Sequence, residues 1–150
     1  MRALKQILVP VDIVEENGFI IEYAKLLAEK LEAHITLFYA RPPLDRFYDI
    51  YLTDPVVAKL QEDSKQQATA ALEKIAQEHF SGTDVSIKIR RGQPQDVIHD
   101  LISTDEYDLV VMGTHCRRGV EKIFFGSVAN RVVKYSNIPV LTIHPDECKV

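Results

Sequence analysis

The stretch DLVVMGTHCRRGVEKIFFGSVANRVV, residues 108–133, decides the fold. It opens on an apolar run, 109–112, that ends at Gly113. A polar, basic loop follows, and Gly126-Ser127 leads into a helical pattern from about Val128 to residue 135. A strand, a glycine-bearing loop and a helix with a small N-cap residue together make a device for holding anions. The helix N-terminus leaves backbone N–H groups unpaired, and its dipole favours negative charge. Glycine lets the backbone approach a ligand where a side chain would stand in the way.

Outward from this stretch the chain alternates between two periods. Residues 5–11 (KQILVPV) read as a strand buried on both faces and closed by Asp12, with its hydrogen-bonded part stopping near Pro10. From Glu15 onward Ile20, Ala24, Leu27 and Leu31 share one helical stripe. Residues 35–40 form a second strand, and Arg41-Pro42-Pro43 stops it. The aromatic segment 41–55 reads as a loop folded back on the body or a partner surface, with a lid as the functional alternative. A long helix follows, its face drawn from Val57, Leu60, Ser64, Ala68, Ala71, Ile75 and His79. Val85, Ile87 and Ile89 alternate with polar residues, as in a strand wet on one face near a sheet edge. Pro94 opens a short helix with Val97, Ile98, Leu101 and Ile102 inward, and Val140–Ile143 is the last strand.

Five strands and four helices in strict alternation predict an α/β, Rossmann-like domain over 1–150. Its sheet is parallel, with helices on both faces and right-handed crossovers. Ligands of such sheets bind beyond the carboxyl ends of the strands, where strand order reverses. Asp12 and Gly113 both fall at carboxyl ends. If the first and fourth strands are neighbours, the two residues face each other there.

Composition narrows the function classes. The chain has 150 residues, 46% hydrophobic and 27% charged, as an ordinary globular domain does. A net charge of -4 argues against general nucleic-acid binding. No apolar run approaches the roughly 20 residues of a membrane span. The N-terminus turns polar too soon for a secretory signal, and two cysteines, Cys116 and Cys148, make neither a disulfide framework nor a zinc site. A cytoplasmic setting is expected. Adjacent His115 and Cys116 lack the orienting partner that a thiol nucleophile needs. His34, His79, His99 and His144 show no metal spacing and read as surface or packing residues. Arg117, Arg118 and Lys122 read as a solvated loop, or as cations folding over phosphates.

Four further motifs, ILVPVD (7–12), LFYA (37–40), VVMGTH (110–115) and SNIPVLTI (136–143), give the sequence its resemblance to the universal stress protein family. Nucleotide-binding members carry Gly, two residues, Gly, nine residues, then Gly-Ser or Gly-Thr. Gly113 and Gly126-Ser127 fall at that spacing, while Cys116 stands where the second glycine is expected. The resemblance implies a five-stranded sheet of order 3-2-1-4-5 and a homodimer through Val140–Ile143. It places ATP contacts on Pro10, Val11, Asp12, Ala40, Met112, Gly113, His115, Gly126, Ser127, Val128 and Ala129. ATP, AMP or ADP is then the expected ligand, with Mg or Mn accompanying the phosphates. Cys116 is expected to weaken that binding without abolishing it. The implied role is a stress-response signalling module with at most weak ATPase activity. The alternative is a nucleotide-free dimeric interaction protein, and a third reading is a nucleotide hydrolase or phosphotransferase.

Overall fold

The apolar runs become strands because their side chains fill both faces of one sheet. In the computed structural model, which describes residues 3–14, 17–43, 54–104, 107–114 and 126–144, the elements alternate without exception. They are β1 (Gln6–Pro10), α1 (Gly18–Leu31), β2 (His34–Arg41), α2 (Pro55–His79), β3 (Val85–Arg91), α3 (Pro94–Thr104), β4 (Leu109–Gly113), α4 (Ser127–Tyr135) and β5 (Val140–Ile143). All strand pairs are parallel, and their order is β3-β2-β1-β4-β5, as expected.

Strand alternation divides the core in two. Ile7, Val9, Ile35, Leu37 and Val111 lie under Ile20, Ile21 and Ala24 of α1 and Leu72 of α2. On the other face Leu8, Phe38, Val110 and Met112 meet Ile98 and Leu101 of α3 and Ala129 and Val132 of α4. Ile7, Leu8, Val9, Val110 and Val111 have no exposed surface at all, so the two central strands carry continuous apolar runs. The edge strand β3 is half-wet along its length, which its alternating sequence requires.

Two boundaries move. The start of α1 is at Gly18 rather than Glu15, and Asn17 stands at its N-cap without a side-chain cap bond. The buried stripe of α2 runs through Val57, Ala68 and Leu72, while Leu60 is 53% exposed and Ser64 and His79 are exposed. Length explains this. A helix of 25 residues is about 37 Å long, against about 26 Å for the eight residues of β2, so part of it cannot lie on the sheet.

At the amino end of the sheet, Asp108 is 7% exposed and ties β4 to β1. Its Oδ2 accepts from the Lys5 N–H at 3.0 Å and the Gln6 N–H at 2.9 Å, and its own N–H donates to the Gln6 carbonyl at 2.8 Å. Replacing it with alanine strips two strand amides of a charged acceptor. We expect Asp108→Ala to lower unfolding free energy by about 3 kcal/mol and Asp108→Asn by about 1. Urea titration checks this: the midpoint should fall with an unchanged slope.

Candidate functional site

The sheet opens where its strand order reverses. β1 pairs with β2 over five residues, from Gln6↔His34 to Pro10↔Phe38. It pairs with β4 over two only, Ile7↔Leu109 and Leu8↔Val110. Beyond that seam the chain from Val9 to Asp12 and the chain from Val111 to Thr114 part, each held by its outer neighbour. Val11 donates its N–H to the Phe38 carbonyl at 2.9 Å, and Thr114 donates to the Ile143 carbonyl at 2.9 Å. The crevice therefore lies at the switch point that doubly wound sheets use for ligands.

Pro10, Val11, Asp12, Ala40, Met112 and Gly113 all stand at carboxyl ends around this opening. Ala40, Met112 and Ala129 belong to one buried apolar cluster, with Val128 packed against it. Their side chains are spent on the core, and what they can offer a ligand is main chain. Gly113 earns its place in packing: an added Cβ would sit 2.6 Å from Ile20 Cδ1 and 3.3 Å from Phe19 Cζ. What it makes room for is the side chains of α1.

Gly126, in extended conformation (φ -55, ψ 158), is the N-cap of α4, and Ser127 is the first helical residue. The small cap is thus one residue earlier than a helix starting at Val128 would place it. No side chain caps this terminus, and its first intrahelical bond is Asn130 N–H to Gly126 carbonyl at 2.9 Å. The amides of Ser127, Val128 and Ala129 precede that bond and are available to an anion. His115, Cys116, Arg117, Arg118, Lys122 and the aromatic residues Phe47 to Leu52 lie outside the described residues.

Asp12 is half-buried and does two jobs. Its Oδ1 accepts from the Val14 N–H at 2.9 Å, fixing the turn after β1. Its backbone is clasped by Asn17, whose Nδ2 donates to the Asp12 carbonyl and whose Oδ1 accepts from the Asp12 N–H at 3.3 Å. Asn17 escaped the sequence reading, since nothing in the sequence ties it to residue 12. Thr114 also escaped the sequence reading. It is 4% exposed, and its hydroxyl lies 2.7 Å from His144 Nδ1, bracing the ends of β4 and β5.

Residues 3–144 match the universal stress protein family, nearly the whole chain. The chain belongs to that family. It is 26% identical over 152 residues to universal stress protein MJ0531 of Methanocaldococcus jannaschii, covering 93% of this chain and 81% of that one. It is 28% identical over 134 residues to universal stress protein E of Salmonella typhi, covering 87% of this chain but only 42% of that one. Among solved structures, protein MJ0577 superposes with a TM-score of 0.79 at 24% identity, over 97% of this chain and 99% of that one. A universal stress protein in complex with cAMP matches at TM-score 0.60 and 23% identity, over 95% and 98% of the two chains. One from Archaeoglobus fulgidus in complex with dAMP matches at 0.58 and 20%, over 95% and 99%. These likenesses carry the fold. Among the described residues, no group of three metal-ligating side chains and no helix able to cross a membrane occurs.

Among the described residues of this universal stress protein, Tyr39 is a titratable group whose pKa is displaced from its ordinary value. Burial raises its pKa above 10.0, the Asp12 carboxylate raises it further, and the Arg41 guanidinium opposes them. A raised phenol pKa means that folding favours the neutral ring. The resulting stability is full below about pH 10 and is lost as pH rises through the folded value. Asp12→Asn should lower the Tyr39 pKa while leaving it above the ordinary value, because burial is the larger cause. An ultraviolet titration of the two proteins, with Tyr39→Phe to identify the signal, checks this.

Proposed function

We propose that this universal stress protein binds an adenine nucleotide, ATP foremost, in the crevice between β1 and β4 and acts as a stress-response signalling module. One observation carries the reading. The strands part at the switch point opposite a helix whose first amides are uncapped. Phosphates would take the amides of Ser127, Val128 and Ala129 and the Ser127 hydroxyl, while Asp12 would accept from ribose hydroxyls. Pro10, Val11, Ala40, Met112 and Gly113 would wall the base and sugar, with Gly126 setting the phosphate turn and His115 contacting from the loop. The relatives solved with cAMP and dAMP support an adenylate as the ligand class. Mg or Mn would arrive with the phosphates, since no set of described side chains forms a cation cage. No described group is placed as a general base for hydrolysis, so turnover would be slow. Calorimetry with Mg-ATP should show saturable binding, weakened about fivefold by Ser127→Ala through loss of one charge-assisted hydrogen bond. No binding, and no nucleotide released on denaturing fresh protein, would overturn the proposal.

A homodimer through Val140–Ile143 belongs to the same proposal and would also serve a nucleotide-free interaction protein. Leu141 on β5 is 38% exposed, and Val133 and Tyr135 on the neighbouring α4 are also exposed. An apolar strand edge of this kind readily pairs. Light scattering at micromolar concentration should give twice the chain mass, and Leu141→Arg should return the single chain. A wild-type protein that scatters as one chain would remove the dimer from the proposal.

A further inference from the structure

At the opposite end of the sheet, three side chains stand in a fixed series. Asp84 Oδ2 lies 3.0 Å from His34 Nδ1, and Ser86 Oγ lies 2.8 Å from His34 Nε2. A carboxylate accepts but does not donate, so it holds the imidazole proton on Nδ1. Nε2 is then a lone-pair acceptor for the Ser86 hydroxyl. This is the connectivity by which a serine is made nucleophilic: hydroxyl to imidazole, imidazole to carboxylate.

The strands explain the alignment. His34 precedes Ile35, which pairs with Val85, so His34, Thr36, Asp84 and Ser86 project from one face of neighbouring strands. Thr36 Oγ1 is 3.4 Å from Ser86 Oγ and completes the row. Ser86 is exposed, as a nucleophile must be. Ile35 N–H donates to the Asp84 carbonyl at 2.9 Å, so in a parallel ladder Ile35 bonds residues 84 and 86. The Ile87 N–H then faces the open edge. It belongs to the residue after the serine, the position from which many hydrolases draw an oxyanion donor.

The geometry points to an acyl-transfer site at Ser86, with His34 as its base and Asp84 as the positioning residue, acting on small carboxylic esters. The Ser86 Oγ–carbonyl bond forms as the hydroxyl proton passes to His34 Nε2. The ester C–O bond then breaks, and the alcohol leaves with that proton. Water repeats the sequence on the acyl-serine and releases the acid. The site is about 20 Å along β2 from the nucleotide crevice and stands independently of it.

The test is p-nitrophenyl acetate on the intact protein, with peptide mass spectrometry to find the acetyl group. Ser86 should be acetylated, with a burst approaching one p-nitrophenolate per chain, and a fluorophosphonate should label the same residue. His34→Gln should slow acetylation about a hundredfold while its thermal unfolding matches the parent. Asp84→Asn should slow it about tenfold, and Asp84→Glu should recover most of the loss, which a residue serving only the fold would not do. Acetylation confined to lysines, absence of a fluorophosphonate adduct at Ser86, or equal rates in the parent and His34→Gln would each overturn the inference.

Discussion

The seam between β1 and β4 is the constraint on which this molecule depends. Two residue pairs join these strands, and both strands are sealed between helices on each face. The seam cannot be long, because strand order reverses there and the crossovers on its two sides leave in opposite directions. It cannot be weak either, since all outer strands hang from it. Asp108 resolves the conflict by anchoring both strands at one end with charge-assisted hydrogen bonds, which leaves the other end free to open. A closed base and an open crest follow from the same short pairing.

The crest is shaped by local bonds. Pro10 ends the donor row of β1, the Val11 amide nevertheless reaches Phe38, and Asp12 is then gripped through its main chain by Asn17. The result is an acidic side chain held at the lip of a dry core. Tyr39 registers that position: burial and a neighbouring carboxylate both oppose its ionisation. Across the crevice, Gly113 lets the start of α1 lean over β4, so the walls owe their closeness to helix packing as much as to the sheet.

The fold was legible because its signals were redundant. Continuous apolar runs at β1 and β4, an alternating run at β3 and helical stripes between them leave one architecture. The motif residues Asp12, Gly113, Gly126 and Ser127 were legible for a different reason: they combine a position at an element end with a residue type suited to it. The stripe of α2 was misread at Leu60 because periodicity shows which face is apolar, not how far the sheet extends beneath it. Asp108, Asn17 and Thr114 were missed because each acts on a residue distant in sequence or turned away from its usual local partner. His34 was read as a bland histidine for the same reason. Its partners Asp84 and Ser86 lie about 50 positions away and become neighbours only through the register of β2 and β3.

The two rims of the sheet are finished differently. β3 carries Lys88, Arg90 and Arg91 along its strand, and Arg90 is drawn to Asp100 at 3.0 Å. β5 carries Val140 and Leu141. Charge at a rim repels a further strand of its own kind, whereas aliphatic side chains invite one. A body with two inviting rims could add copies head to tail without limit and grow into a filament. A body with one can only meet a second copy through like surfaces, and the operation closes after a single step. The homodimer proposed along β5 would therefore be self-terminating, with the guarded rim facing outward on both sides.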